Sequence, residues 1–125
     1  MTRLAIIAVA FAGLAALAMA ETTPAPAEPE TRTVFLVHPG PANPPGKSLM
    51  ENPLIREHAK HMVAMFKAGT MTRGGPFTDG SGGIGIAAKG VTPADLAKIL
   101  AADPAARAGI ITYEVKTWMI GVGAP

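Results

Sequence analysis

The chain has 125 residues, a formal net charge of +2 and no cysteine. So small a positive charge leaves no strong basic patch, and we expect no nucleic-acid partner. The lack of cysteine excludes disulfides, thiolate metal sites and cysteine nucleophiles, so stability must come from a packed core or from oligomerisation.

The first twenty residues have the pattern of a secretory signal peptide. Arg3 supplies a basic start, residues 4–17 are an apolar run, and residues 18–20 have a small-x-small cleavage pattern. The run is short for a membrane span of about 20 residues, which favours cleavage after Ala20 over a retained anchor. We therefore expect a periplasmic or secreted protein with no stable membrane insertion. Loss of Arg3 would lower its formal charge from +2 to +1.

The mature chain divides into a spacer, one domain and a tail. Residues 21–32 are rich in proline and contain no large apolar residue, which predicts an extended spacer. Residues 33–120 form the domain, and residues 121–125 form a frayed tail. The domain begins with TVFLVH at 33–38, a strand that is apolar on both faces and therefore central. The proline-rich loop at 39–46 is either a simple connection or the rim of a pocket.

One helix, at residues 52–69, is central to the predicted domain. Asn52 is a favourable N-cap, Pro53 suits the first helical position, and Gly69 is the residue expected just past the end. The sequence therefore gives both ends of this helix.

The apolar arc of this helix is roughly 200° wide, broader than that of an ordinary surface helix. His58 lies within the arc and His61 at its edge, so His58 should point at other protein and need a hydrogen-bond partner there. It is either a core-edge histidine satisfied by a carbonyl or water, or a functional group. The apolar residues nearest the centre of the arc are Ile55, Ala59, Met62, Val63 and Phe66.

The second half of the domain alternates turn signals with apolar segments. Thr92 and Pro93 begin a helix by the same rules as before, and Asp103-Pro104 ends it. The glycine-rich turn lacks the Lys-Ser/Thr of a phosphate-binding loop and joins two strands, which argues against a phosphate site. The predicted elements are a strand at 70–77, a turn at 78–83, a strand at 83–90, a helix at 92–102 and a strand at 110–120.

The element order is strand, helix, strand, strand, helix, strand. This order predicts an α+β fold of the ferredoxin-like βαββαβ plan, an antiparallel sheet with two helices on one face. The opposite face would expose Trp118 and one apolar side of the first strand. Burying such a surface is favourable, so we expect two copies to pair through their open sheet faces as a homodimer.

Several residues occur in the order and spacing of a known family. They are His58, Gly69, Gly75-Pro76, Asp79 with its glycine-rich turn, Asp103-Pro104, Gly109 and Trp118. On these motifs, residues 33–120 resemble the YCII-related (YciI-like) domain family. The resemblance implies a dimeric α+β barrel with a site built on a His–Asp pair in a cleft near the sheet. The family histidine falls on His58, and its acid falls on Asp103 or Asp79.

An imidazole beside a carboxylate is a suitable general base, because the acid fixes the tautomer and raises the basicity of the ring. No serine elbow is present, so covalent catalysis is not supported. The sequence predicts a small-molecule enzyme in which His58 and either Asp103 or Asp79 perform general acid/base chemistry of a lyase, isomerase or hydrolase-like kind. The alternative is a non-catalytic periplasmic module whose His58 only hydrogen-bonds a small ligand.

Each residue also has a purely structural interpretation. Asp103 could only end a helix, Asp79 could only form a turn, and Arg73, a candidate anchor for an anionic substrate, could be a solvated strand residue. The other candidate ligand contacts are His38, His61 and Trp118. The three histidines could in principle bind a metal, but they lack HEXXH spacing, and we predict neither a metal nor a cofactor.

Overall fold

The computed structural model describes residues 9–10, 12–18 and 21–123. The start of the predicted signal peptide with Arg3, its cleavage site at Ala20 and the last two residues of the tail lie outside that part. Residues 9–10, 12–18 and 21–30 form neither helix nor strand. Within the described part, no helix has the length and apolar character needed to cross a membrane.

The predicted α+β class with a four-stranded antiparallel sheet is confirmed. The elements are β1 (Thr31–Pro39), a 3₁₀ helix (Leu49–Glu51), α1 (Ile55–Lys67), β2 (Met71–Pro76), β3 (Gly83–Ala87), α2 (Pro93–Ala101), α3 (Pro104–Arg107) and β4 (Ile111–Met119). The strands lie in the order β2-β3-β1-β4, and every neighbouring pair is antiparallel. This arrangement is compatible with a ferredoxin-like fold.

The first strand is central, as its apolar sequence predicts, because it pairs with β3 on one side and β4 on the other. It is longer than predicted and takes up the last two residues of the spacer. Thr31 pairs with Met119 and Pro39 with Ile111, so β4 supplies partners along the whole of β1. The prediction that the spacer reaches residue 32 is therefore wrong by two residues.

Helix α1 begins at Ile55, three residues later than the predicted N-cap. Asn52 instead ends the 3₁₀ helix, and its Oδ1 accepts a hydrogen bond from the Leu54 N–H at 3.0 Å. Asn52 therefore caps a tight turn that precedes the α-helix, which a local sequence rule does not distinguish from the α-helix itself.

The end of α1 agrees with the prediction. Gly69 has a φ of 75°, and its N–H donates to the Phe66 carbonyl oxygen at 3.0 Å. The Thr70 N–H donates to the Met65 carbonyl oxygen at 3.0 Å, which completes a Schellman motif. Glycine is favoured here because the left-handed conformation disfavours residues with a Cβ.

The buried side of α1 differs from the predicted centre of its apolar arc. Met65 is buried, whereas Val63 and Phe66 are 51% and 57% exposed. The prediction that those two residues face the core is wrong. The helix is rotated so that the flank carrying His58 and His61 meets the rest of the domain, because both rings hydrogen-bond to groups beyond the helix.

A single core lies between the helices and one face of the sheet. The side chains that meet there include Phe35 and Val37 of β1, Ile111 of β4, Met65 of α1, and Leu96 and Leu100 of α2. Tyr113 and Val115 of β4 pack against the same cluster. The other sheet face leaves Ile84 and Trp118 partly exposed, at 42% and 45%.

Gly85 of β3 gives the Phe35 ring its place in the core. The two residues are paired across β1 and β3, and a Cβ at Gly85 would lie 2.0 Å from Phe35 Cζ. The Phe35 ring thus packs directly on the backbone of Gly85. Any larger residue at position 85 must displace the ring.

We expect Gly85→Ala to lower the free energy of unfolding by roughly 1–3 kcal/mol, because the added methyl group overlaps the Phe35 ring. Urea unfolding followed by circular dichroism measures this loss. Gly75→Ala is the matched control, since a Cβ there meets nothing within 4 Å. Equal stability of the two variants would contradict this account of the core.

Candidate functional site

A cavity of about 440 Å³ lies between α1, the 3₁₀ helix and the sheet. Its size is in the range of small-molecule binding sites. The wall is almost wholly apolar, and its larger side chains include Phe35, Val37, Leu49, Ile55 and Met62. Residues of the proline-rich loop at 39–46 do not line it, but the 3₁₀ helix that follows this loop does.

The β2–β3 hairpin lines the cavity mostly with glycines, together with Pro76 and Ile84. Five glycines of this hairpin line it, at positions 74, 75, 80, 82 and 83. Gly82 has a φ of 152°, and a Cβ there would lie 2.0 Å from the Val37 carbonyl oxygen. The hairpin can therefore approach β1 closely only with glycine at this position. Because these glycines have no side chains, they also leave room for the cavity.

His58 meets Asp103 beside this cavity. His58 extends from α1, and Asp103 lies at the junction of α2 and α3; the His58 Nδ1 and Asp103 Oδ2 atoms are 2.7 Å apart. Asp103 is fully buried, and its other oxygen, Oδ1, accepts a hydrogen bond from the Ala105 N–H at 2.9 Å. One carboxylate oxygen thus caps α3 while the other holds the imidazole.

Tyr113 is a third member of this cluster, and the sequence analysis gave it no role. Its hydroxyl donates a short hydrogen bond to Asp103 Oδ2 and lies 3.2 Å from His58 Nδ1. Its ring packs edge-on against Phe35, with centroids 5.5 Å apart. The signal in the sequence was a lone tyrosine on the apolar, inward side of the last strand, because a buried hydroxyl needs a hydrogen-bond partner.

The cluster holds Asp103 ionised and Tyr113 neutral. Burial by itself would raise the pKa of Asp103, but hydrogen bonds from His58, Tyr113 and the Ala105 N–H outweigh burial and hold this pKa below its usual value. Burial, together with the hydrogen bond to Asp103, raises the pKa of the Tyr113 hydroxyl well above its ordinary value. A neutral phenol therefore donates to a charged carboxylate.

These charges determine the tautomer of His58. An ionised carboxylate only accepts hydrogen bonds, so Nδ1 of His58 carries the proton and Nε2 of the neutral ring holds a lone pair. Nε2 has no hydrogen-bond partner among the described residues. Since every buried side-chain nitrogen and oxygen of that part has a partner, Nε2 is not buried and is open to a ligand or to solvent. Since the ring also lines the cavity, Nε2 is the atom it offers to a ligand.

Asp79 and His61 have structural contacts away from this cluster. Asp79 is exposed in the hairpin turn, where its Oδ1 accepts a hydrogen bond from the Ser81 N–H at 2.9 Å. Hydrogen bonds from Ser81 lower the pKa of Asp79. His61 Nε2 lies 2.9 Å from the Ile99 carbonyl oxygen and so connects α1 to α2. The structure thus brings His58 to Asp103 rather than to Asp79.

The other three candidates lie on the opposite face of the sheet. Residues paired directly across strands share a face, and successive residues alternate between faces. By this register His38, Arg73 and Trp118 lie on the side away from Phe35. His38 Nε2 is 2.9 Å from Glu114 Oε2. The three histidines therefore have separate partners, and no group of three potential metal ligands is found in the part described.

The chain matches no protein-family model, no curated protein and no solved structure. The interpretation of the site therefore depends on its own geometry. It consists of an imidazole that lines an apolar cavity and is held through Nδ1 by a buried carboxylate.

We expect the stability of the protein to fall in acid because of Asp103. The pKa of Asp103 in the folded chain lies below the unfolded value of about 3.9, so the unfolded chain binds the proton first as the pH falls. The stabilisation is complete well above about pH 4 and is lost as the pH drops through the folded pKa.

Tyr113→Phe tests this dependence because it removes one donor and leaves the carboxylate in place. We expect the free energy of unfolding at neutral pH to fall by about 1–3 kcal/mol. The further loss between about pH 7 and about pH 3 should be smaller than in the wild type, since the pKa of Asp103 moves towards its unfolded value. Urea titrations across pH measure both, with Glu51→Gln as the control, since Glu51 is exposed and takes part in no described ion pair. An unchanged pH profile in Tyr113→Phe would contradict the assignment.

Proposed function

We propose that this protein is an enzyme that transfers a proton on a small organic molecule, with His58 as the general base and Asp103 as its orienting acid. The observation that carries the proposal is the 2.7 Å contact from His58 Nδ1 to a fully buried carboxylate, at a residue that lines the cavity and whose Nε2 has no hydrogen-bond partner among the described residues. A general base must reach its substrate proton through one nitrogen while the other is held in place.

The proposed step uses only groups that line the cavity or touch the imidazole. Nε2 removes a proton from the substrate, and the imidazolium that forms is stabilised by the adjacent Asp103 carboxylate, which stays ionised. His58 then returns the proton to another atom of the substrate or to a leaving group. The first outcome is an isomerase reaction and the second a lyase reaction. The apolar wall excludes water and so protects a carbanion-like intermediate.

The resemblance to YCII-related domains supports the same proposal. It implies a histidine at position 58 with an acid at 103 or 79, and the His58–Asp103 contact is in accord with the first of these. The antiparallel sheet order is compatible with the dimeric α+β barrel of that family. Membership of the family is part of the proposal and is supported by these features of the site and sheet.

A non-catalytic ligand-binding module is the second candidate. It is favoured by the composition of the wall, where His58 and Arg56 are the only ionisable residues. Such a site could hold an apolar ligand by shape and burial, with His58 contributing one hydrogen bond. Proton exchange distinguishes the two candidate functions, because only the enzyme exchanges a substrate proton with the solvent.

We expect the wild-type protein to catalyse deuterium incorporation from D₂O into at least one carbon acid in a panel of small ketones and lactones, measured by proton NMR. The assay detects proton removal without knowledge of the product. His58→Gln should slow this exchange by about 10²–10⁴-fold, because the amide has no basic nitrogen. Glutamine can still donate to Asp103, which preserves the fold.

His38→Gln is the matched control, since His38 lies on the other sheet face and its variant should retain wild-type exchange. Exchange that survives in His58→Gln would refute the role of the imidazole. Ligand binding by the wild type without exchange of any panel member would favour the binding module instead.

We also propose a homodimer formed through the open sheet face. This face carries Leu36 opposite Ile84, with Trp118 near its edge, and both Ile84 and Trp118 are partly exposed in the single chain. Covering such apolar area is worth about 25 cal/mol per Å². The helical face of the sheet is already covered by α1 and α2.

Sedimentation equilibrium should give twice the chain mass for the wild type and the single mass for Leu36→Lys, which places a charge at the centre of this face. Val63→Lys, on the exposed side of α1, is the control and should remain a dimer. A monomeric wild type at micromolar concentration would refute the proposal.

Export follows from the sequence pattern of residues 1–20, and we propose that the mature protein is periplasmic or secreted. The support is the basic start, apolar run and small-x-small pattern before Glu21. Amino-terminal sequencing of the exported protein should begin at Glu21. A sequence that begins at Met1 would exclude cleavage.

A further inference from the structure

Arg56 is a permanent charge in the wall of the cavity. Among the described residues that line it, only Arg56 and His58 are ionisable, and neither aspartate nor glutamate is present. Arg56 also borders a shallow outer groove with Lys60 and Lys67, so it stands at the rim between the cavity and the outer surface of α1. The mouth of an otherwise apolar cavity is therefore positively charged.

The fold itself gives Arg56 no described partner. Its neighbour Glu57 pairs with Lys60 at 2.8 Å, and Arg56 takes part in no ion pair or side-chain hydrogen bond with a described residue. A cation in the first turn of a helix is also unfavourable, because the positive end of the helix dipole lies there. Neither the helix dipole nor a described ion pair stabilises this exposed guanidinium, which can therefore pair with an anion at the cavity.

We propose that the cavity binds a small, mostly apolar carboxylic acid whose carboxylate pairs with Arg56 while its hydrocarbon body fills the cavity. The guanidinium fork matches a carboxylate with two parallel hydrogen bonds. The apolar wall disfavours sugars and nucleotides, since their hydroxyl groups would be buried without partners. This inference extends the proposed function by naming the substrate class of the same site.

The relative positions of the two residues also constrain the ligand. Arg56 and His58 are two positions apart on α1, so their side chains leave the helix in different directions. The carboxylate at the rim and the atom presented to Nε2 must therefore be different parts of one molecule. The substrate is then a carboxylic acid that reacts at a carbon remote from its carboxylate.

The test uses pairs of probes that differ only in charge. Phenylacetate with phenylacetamide, and 4-phenylbutyrate with its amide, have matched shapes, and isothermal titration calorimetry measures their affinities. Wild-type protein should prefer the anion of at least one pair by roughly 2–5-fold, the range expected for a partly solvated ion pair. Arg56→Gln should bring that ratio to about one.

Arg73→Gln is the matched control, because it makes the same change in net charge on the opposite sheet face and should keep the wild-type ratio. The inference is overturned by equal affinity of wild type for anion and amide, by a preference that survives in Arg56→Gln, or by failure of every probe to bind at millimolar concentration. Because the readout is binding, it also applies to His58→Gln. Retained anion preference there, with no proton exchange by the wild type, would refute the catalytic proposal alone.

Discussion

The Asp103 carboxylate is the interaction on which the domain and its site both depend. A buried charge is strongly unfavourable unless it is hydrogen-bonded, and this one receives donors from three elements. They are His58 of α1, Tyr113 of β4 and the Ala105 N–H at the start of α3. The group that orients the imidazole is thus the same group that holds these elements together. Loss of any donor should affect packing and chemistry at once.

The cavity has a physical origin in the two elements that border it. Helix α1 has a wider apolar arc than its contact with the core requires, and the β2–β3 hairpin that faces it contains five lining glycines without side chains. Packing at ordinary density would require larger hairpin residues to fill this space. Gly82 also lets the hairpin approach the backbone of β1. The unfilled part of the apolar arc becomes the wall of the cavity.

Local rules predicted the parts of the fold that depend on local chemistry. Gly69 and Thr92 mark helix ends by their own backbone and side-chain hydrogen bonds, and both occur as expected. Asn52 misled the same rules because it caps a 3₁₀ turn. The helical wheel located the apolar arc of α1 but not which half of it meets the core. That choice is made by the distant partners of His58 and His61, which the helix sequence does not contain.

The site shows the same division between local and tertiary information. His58 and Asp103 are 45 residues apart, so the sequence could nominate each but could not choose between Asp103 and Asp79. The sequence nominated Arg73 as the anchor for an anionic substrate, but the register of β2 with β3 places Arg73 on the sheet face away from the cavity. Arg56, which lines the cavity, is the anchor proposed instead. The carboxylate proposed to bind at Arg56 would stay apart from the buried negative charge of Asp103, which would repel it. In the proposed reaction, Asp103 would orient the base and the ligand carboxylate would position the reacting carbon.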